Sequence, residues 1–554
     1  MGAVFAITSL LLVFSPLGVQ GLGSLVKVSN GDYVGKVLDC GVSQWLGIRY
    51  SAPPLGELRF QPPADPLPEA GTQSALEHGS ICLPTGVLPS ENNKANFSED
   101  CLFLDVYAPS RAHKESKLPV FVYIQGGGFN SNSHPRLNGT GLVKASDMGI
   151  VVVTFNYRVG PWGFLVDGDK LIPNNGLRDQ RQALKWVKKN IAQFGGDPNH
   201  VVLGGASAGA SSIAWHLTAY GGYDQGLFHA AVGESAAWGH VLTAKQARYQ
   251  FDGLVVRIGC VRNSSEATLT CLRKKPYEDI QMHGFGTPYP GQSLSPLFMW
   301  GPVIDYDMFY FPLIESFKQG KFIKVPVIWG DDTNGGSIFT SPFTSTVAHS
   351  NRWMRTQYPF LTLRKLWWLN NAWKNSMKEQ RKCPARDCWR KQLSQVYGDM
   401  RYMCPSIYMT SAFPNHGFNN SWNYRWNVED PDQIKAGVGV PHVTEISALF
   451  GPEFVPALYI RAPRTYRKGE INENAVDVLQ RYWISFIKTF DPNPERAEGS
   501  AQWEKFDMKK LSRLRFDTGG KTGMEYVGGE LARRCALLFN KVYPTKAGTA
   551  MIES

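Results

Sequence analysis

The residues best suited to chemistry lie in Val201-Val202-Leu203-Gly204-Gly205-Ala206-Ser207-Ala208-Gly209-Ala210. A short apolar run ends in Gly-x-Ser-x-Gly, and a helix-compatible segment follows. That order is the sequence form of a sharp strand-to-helix turn that presents a serine. The turn strains the backbone at Ser207, and side chains at Gly205 and Gly209 would collide with neighbouring elements. A helix beginning after Ser207 aims its N-terminus at an oxygen that becomes negative during acyl transfer. A serine hydroxyl is a poor nucleophile at neutral pH, so it needs a base within hydrogen-bond reach. Imidazole suits, because its pKa lies near the working pH. Among 11 histidines, only His442 has a matching context. It follows the strand-like run Ser421 to Asn427 and comes after the serine in the chain, as this arrangement requires. Upstream, Gln125-Gly126-Gly127-Gly128-Phe129 follows another apolar run. No Gly-Lys-Ser/Thr follows, which excludes a phosphate loop; bare backbone there can approach a developing oxyanion.

The elements that must position these residues are legible as buried apolar runs. Pro119 to Ile124, Ile150 to Asn156, the Val201 run, Phe228 to Val232, Val325 to Trp329 and Ser421 to Asn427 read as strands. Asp179 to Phe194 has helical spacing between two of them. Strands alternating with helices predict an α/β protein with a mostly parallel sheet covered on both faces. Functional residues in such sheets sit just past the carboxyl ends of strands, where the serine, glycine-rich and histidine segments all fall. Residues 340–400 are rich in Trp and basic residues, with helical stretches such as 361–378. They read as a helical cap over the sheet, and the Trp367, Trp368 and Trp373 cluster reads as packing.

The 554 residues are 43% hydrophobic, enough for a large core, so residues 22–554 are expected to form one domain. Net charge is +11, yet charged residues are only 19% and dispersed. No basic tail or run points to nucleic acid. Residues 1–21 read as a secretory signal peptide: an apolar stretch at 3–14, Pro16, then small residues suited to cleavage. No stable membrane anchor or cofactor motif is expected. The nine cysteines are Cys40, Cys82, Cys101, Cys260, Cys271, Cys383, Cys388, Cys404 and Cys535, with no C-x-x-C pair. Cys82 with Cys101 and Cys260 with Cys271 would close short loops, and an odd total leaves a thiol over. Sequons at Asn96, Asn138, Asn263 and Asn419 agree with export to a secretory lumen or the exterior.

Further stretches carry a resemblance. They are Trp45-Leu46-Gly47-Ile48-Arg49-Tyr50-Ser51-Ala52-Pro53-Pro54, Glu99-Asp100-Cys101-Leu102-Phe103-Leu104-Asp105-Val106-Tyr107, Asn175-Gly176-Leu177-Arg178-Asp179-Gln180 and Phe194-Gly195-Gly196-Asp197-Pro198. The chain resembles type-B carboxylesterases and lipases, the cholinesterase-like branch of the α/β-hydrolase fold, with fungal members closest. The resemblance implies serine ester hydrolysis of a small-molecule ester through an acyl-enzyme. Ser207 would be the nucleophile and His442 the general base. Backbone N–H groups of Gly127, Gly128 and Ala208 would form the oxyanion hole. Cys82–Cys101 and Cys260–Cys271 would match the family's first two disulfides; the pairing of Cys40, Cys383, Cys388, Cys404 and Cys535 stays open.

One position departs from the family pattern. A carboxylate after the strand ending at Trp329 normally orients the histidine, and here the segment reads Gly330-Asp331-Asp332-Thr333-Asn334-Gly335-Gly336-Ser337. Gly335 stands at the expected acid position. In a serine protease a neutral replacement of that acid costs about 10⁴ in turnover. Four outcomes are open. The acid has migrated to Glu234, one strand earlier; Asp331 or Asp332 reaches in; a Ser–His dyad works with water or a substrate carboxylate; or hydrolysis is lost. Glu445 reads as structural. Three readings follow: a secreted carboxylic ester hydrolase or acyl-transfer enzyme, a specialised-metabolite tailoring enzyme (transesterification, lactonisation or cyclisation), and a non-catalytic binding protein. Retention of Ser207, His442 and the glycine run favours the catalytic readings. Phe129, the Trp238 region and the segment from Phe339 to Phe343 are expected to line an apolar substrate pocket.

Overall fold

The computed structural model describes residues 24–87, 96–373, 385–456 and 461–543. The expected signal peptide, Cys383 and the end of the expected 361–378 helix lie outside them. Eleven strands pair into one sheet: β1 (Lys36–Val37), β2 (Val42–Arg49), β3 (Phe103–Pro109), β4 (Leu118–Ile124), β5 (Val151–Phe155), β6 (Gly196–Ala206), β7 (Ala230–Glu234), β8 (Val327–Asp332), β9 (Ser421–Asn427), β10 (Ser512–Asp517) and β11 (Lys521–Tyr526). Their spatial order is β11-β10-β9-β8-β7-β6-β4-β5-β3-β2-β1. From β5 through β10 every pairing is parallel; both margins are antiparallel.

The apolar runs form central strands because helices cover both faces. Along β4, Val120, Val122 and Ile124 join one core cluster, while Phe121 and Tyr123 join the other. This is the period-2 alternation of a strand buried on both sides. Helices α1 (Asn175–Asn190) and α2 (Ala208–Thr218) supply Leu184, Val187, Ile213 and Leu217 to the first cluster. Helix α3 (Cys404–Asn415) packs on the same side, and Asn423 of β9 donates to the hydroxyls of Ser406 (3.1 Å) and Thr410 (2.9 Å). Helix α4 (Glu473–Thr489) fills the opposite face with Leu479, Trp483 and Phe486.

A buried ion pair ties the sheet to α1. The Arg158 guanidinium donates to both Asp179 oxygens, at 2.8 and 2.7 Å, with side chains 3% and 0% exposed. Breaking such a pair from one side leaves a buried charge uncompensated. The pair therefore locks the loop after β5, and with it the ends of the central strands. Between residues 340 and 400 the chain forms Val347–Gln357, Leu363–Ala372 and Ala385–Gly398, followed by a π-helical turn over Asp399–Met403. Trp373 is buried and donates to Asp399 (3.0 Å), whereas Trp367 is exposed.

Candidate active site

Ser207 caps the carboxyl end of β6 with φ 57° and ψ −118°, outside the regions a serine ordinarily adopts. The conformation persists because its surroundings over-determine it. The Ser207 N–H donates to the Glu234 carbonyl (2.8 Å), and its carbonyl accepts from the Ser211 N–H (2.9 Å) at the start of α2. The flanking glycines have the steric cause expected of them. A Cβ at Gly209 would sit 1.9 Å from the Ile124 carbonyl oxygen, and one at Gly205 would sit 2.8 Å from the Gly209 backbone. The glycine-rich loop after β4 lies against the serine: a Cβ at Gly126 would be 2.9 Å from Ser207 Cβ. Gly127 (φ 114°) and Gly128 (φ 62°) turn the chain back beside it, and Ala208 begins α2. Side chains at these two glycines would strike Ser131 and Phe298.

His442 lies between β9 and the short helix Glu445–Phe450 and is 5% exposed. Its loop is anchored by Asp332, at the end of β8. The Asp332 carboxylate accepts from Val443 N–H (2.6 Å), Thr444 Oγ1 (3.0 Å) and Ser235 Oγ (2.9 Å). Val443 carries φ 62°, a costly conformation for a β-branched residue, so the anchor offsets local strain. Both His442 ring nitrogens are buried without a hydrogen-bond partner among the described residues. Tyr402 covers the ring (centroids 4.2 Å apart) and Phe339 meets its edge (5.3 Å). Burial, and then the positive charge of Arg401, push the imidazole down to about 3.

The structure brings none of the candidate acids to that ring. The Glu234 carboxylate accepts from Tyr123 Oη (2.9 Å) and Trp483 Nε1 (2.8 Å), on the α4 face. Asp332 is spent on backbone and hydroxyl donors, beside Glu445, which accepts from Tyr424 Oη (3.0 Å). Burial raises both of these carboxyl groups above the usual range. Asp331 points elsewhere in the interior, where burial pushes it up to about 8. Gly335 is buried, and a Cβ there would meet Tyr402 Cδ2 at 3.3 Å. Tyr402 thus packs near both Gly335 and the imidazole.

Beside the elbow is a cavity of about 110 Å³ lined by Gly128, Phe129, Trp238, Phe298 and Arg401, among others. Phe129 and Trp238 line it as expected from the sequence. Phe339 packs on His442 instead, and Phe343 is exposed. Arg401, Tyr402 and Phe298 were not anticipated. The available signal was a single arginine inside the otherwise apolar run Met400-Arg401-Tyr402-Met403.

Disulfides join Cys82–Cys101, Cys260–Cys271 and Cys404–Cys535; Cys388 is also disulfide-bonded and Cys40 is a free, exposed thiol. The first two are the pairs implied by the resemblance, and all three fit an oxidising, secreted or lumenal setting. No helix among the described residues is long and apolar enough to cross a membrane. Asn96, Asn263 and Asn419 are exposed and Asn138 is half-buried.

A strained serine at the end of a central parallel strand, beside a glycine-rich loop and followed by a histidine after a later strand, defines the α/β-hydrolase fold. The Carboxylesterase family model matches residues 23–531, and the chain belongs to that family. Its structure is similar to the crystal structure of Aspergillus niger EstA, with a TM-score of 0.87 and 38% sequence identity over 94% of this chain and 99% of that one. Family and fold are those of a serine ester hydrolase acting on a small-molecule ester.

Proposed function

We propose that the chain is a secreted serine esterase or acyl-transfer enzyme working through a Ser207–His442 dyad, with Gly335 at the place of the family's orienting acid. The observation that carries this reading is the strained Ser207 elbow beside the Gly126–Gly128 loop. Ser207 Oγ attacks the ester carbonyl carbon while His442 takes the hydroxyl proton. The carbonyl oxygen becomes an oxyanion facing the N–H groups of Gly127, Gly128 and Ala208. Collapse breaks the ester C–O bond, and His442 returns its proton to the leaving alcohol. Water, or a second alcohol in transesterification or lactonisation, then releases the acyl group by the same steps reversed.

The dyad reading is preferred to a migrated acid because the Glu234 carboxylate is held by Tyr123 and Trp483. A neutral imidazole without an orienting carboxylate makes a slow base, so the reading predicts weak activity on simple esters. Cleavage after a 1–21 leader, glycosylation at the exposed Asn96, Asn263 and Asn419 and at Asn138, and a single domain over 22–554 capped by 340–400 belong to the same proposal. The test is hydrolysis of 4-nitrophenyl butyrate by wild type, Ser207→Ala and His442→Ala. Turnover lost in both variants supports the reading. Turnover that survives Ser207→Ala refutes it, and a protein indifferent to Ser207→Ala in every assay is a binding protein.

A further inference from the structure

Among the described residues that line the cavity beside Ser207, Arg401 alone carries a full charge and none is Asp or Glu. Arg401 is 8% exposed. Its guanidinium lies over the rings of Phe298 (5.1 Å), Tyr397 (5.7 Å) and Tyr402 (6.0 Å). Besides burial, the groups that act on it are the phenols of Tyr397, Tyr402 and Tyr358, with the Tyr358 and Tyr402 hydroxyls at hydrogen-bonding range and no carboxylate among them. Its Nε is buried without an acceptor. Two further residues on the same wall share that condition: Trp238 Nε1 and both ring nitrogens of His240 are buried and unpartnered. Gly239 lies between them, and a Cβ there would come within 3.4 Å of Arg401 Nη1, so the missing side chain leaves the guanidinium room. The Trp238 backbone N–H donates to the Arg401 backbone carbonyl (2.8 Å), which holds the two segments against each other. Arg401 itself sits on the π-helical turn Asp399–Met403, an irregularity that often marks functional positions.

A buried guanidinium with no counter-charge is costly, and buried polar atoms normally find partners. Arg401, Trp238 and His240 line one cavity, each with a buried polar atom unpaired among the described residues, and no carboxylate of the lining balances the guanidinium charge, which describes a site suited to an anion. A guanidinium fork matches a carboxylate in two parallel hydrogen bonds. We infer that Arg401, with Trp238 and His240, forms an anion subsite that selects esters bearing a free carboxylate, such as half-esters of dicarboxylic acids. This rests on the Ser207 reading for turnover but not for binding. Burial is the larger cause of the depressed His442 and the Arg401 charge the smaller, so a substrate carboxylate on Arg401 offsets that smaller contribution and raises the imidazole part of the way. The substrate then supplies part of the negative charge that a residue at 335 would have provided.

The test compares mono-4-nitrophenyl succinate with its neutral methyl ester, 4-nitrophenyl methyl succinate. Wild type is expected to favour the anionic ester by about 100-fold in kcat/KM, since truncating one partner of a buried charge pair has effects of that order. Arg401→Gln is expected to bring the ratio near one, and Arg401→Lys to keep part of it. If Arg401→Gln does not fold, the wild-type ratio and Arg401→Lys decide. Equal turnover of both esters, or a preference that survives Arg401→Gln, overturns the inference. Binding is measured separately by calorimetry, titrating monomethyl succinate into Ser207→Ala and into Ser207→Ala with Arg401→Gln. If wild type hydrolyses neither ester, the esterase reading fails, while this titration still decides the anion subsite.

Discussion

Gly335→Glu should convert a slow dyad into a faster enzyme. The backbone at Gly335 has no positive φ, and the tightest contact of the new Cβ is Tyr402 Cδ2 at 3.3 Å, with the Asp332 carbonyl at 3.7 Å, so the ring must yield by a few tenths of an ångström. That crowding costs about 1–3 kcal/mol of stability. The possible gain is set by the imidazole. His442 stands at about 3 against an ordinary 6.5, and closing that gap fully is worth roughly 5 kcal/mol. A neighbouring carboxylate raises a buried base by about 1–3 pH units, roughly 1.4–4 kcal/mol. Only part of that reaches the transition state, so kcat/KM for 4-nitrophenyl butyrate should rise by about 3- to 10²-fold. Gly335→Gln, equal in size and neutral, is the control, and circular dichroism confirms folding. If folded Gly335→Glu is no faster than Gly335→Gln, the missing acid does not limit this site and the argument fails.

Other consequences follow from the same geometry. Glu234→Gln keeps the shape that Tyr123 and Trp483 bond to, so kcat/KM should change by less than about threefold; a loss of about 10³-fold or more would make Glu234 the orienting acid after all. Cys404–Cys535 spans 131 residues and Cys260–Cys271 spans 11. Loop-closure entropy makes these worth about 5 and about 3 kcal/mol, so denaturant unfolding of the paired Cys→Ala variants should show the larger loss for the first. Asp331 is held up at about 8 against its ordinary 3.8. Its folded form therefore keeps the proton that the unfolded chain releases. Its contribution is complete below pH 4 and lost as pH rises to 8, by up to about 5 kcal/mol. The Tm of wild type should accordingly fall relative to Asp331→Asn over that range; parallel curves would contradict it.

Much of the frame was legible because it depends on local sequence. The apolar runs at 119–124, 150–156 and 421–427 correspond to β4, β5 and β9 within a residue or so, since strands buried on both faces need unbroken apolar side chains. Gly205 and Gly209 were readable because the Gly-x-Ser-x-Gly spacing is local, although the backbone they make room for lies largely on β4. The helix expected at 179–194 begins earlier, at Asn175, and ends at Asn190 before a tighter turn over Ile191–Phe194. What surrounds His442 was not legible. Tyr402 and Arg401 reach it from a π-helical turn some forty residues earlier in the chain, and Cys535 reaches Cys404 across most of the last third of it. Such contacts have no spacing rule; only the fold brings them together. The same distance hides the roles of the carboxylates. Asp332 and Glu234 look alike as acids following strands, yet one anchors the histidine loop and the other bonds to α4.

The most direct test of an activated Ser207 is covalent labelling of the full chain by a fluorophosphonate, read as intact mass, with Ser207→Ala as control. The account predicts a single adduct confined to Ser207, formed slowly in wild type and faster in Gly335→Glu. No adduct in folded wild-type protein, or an adduct that persists in Ser207→Ala, would contradict it.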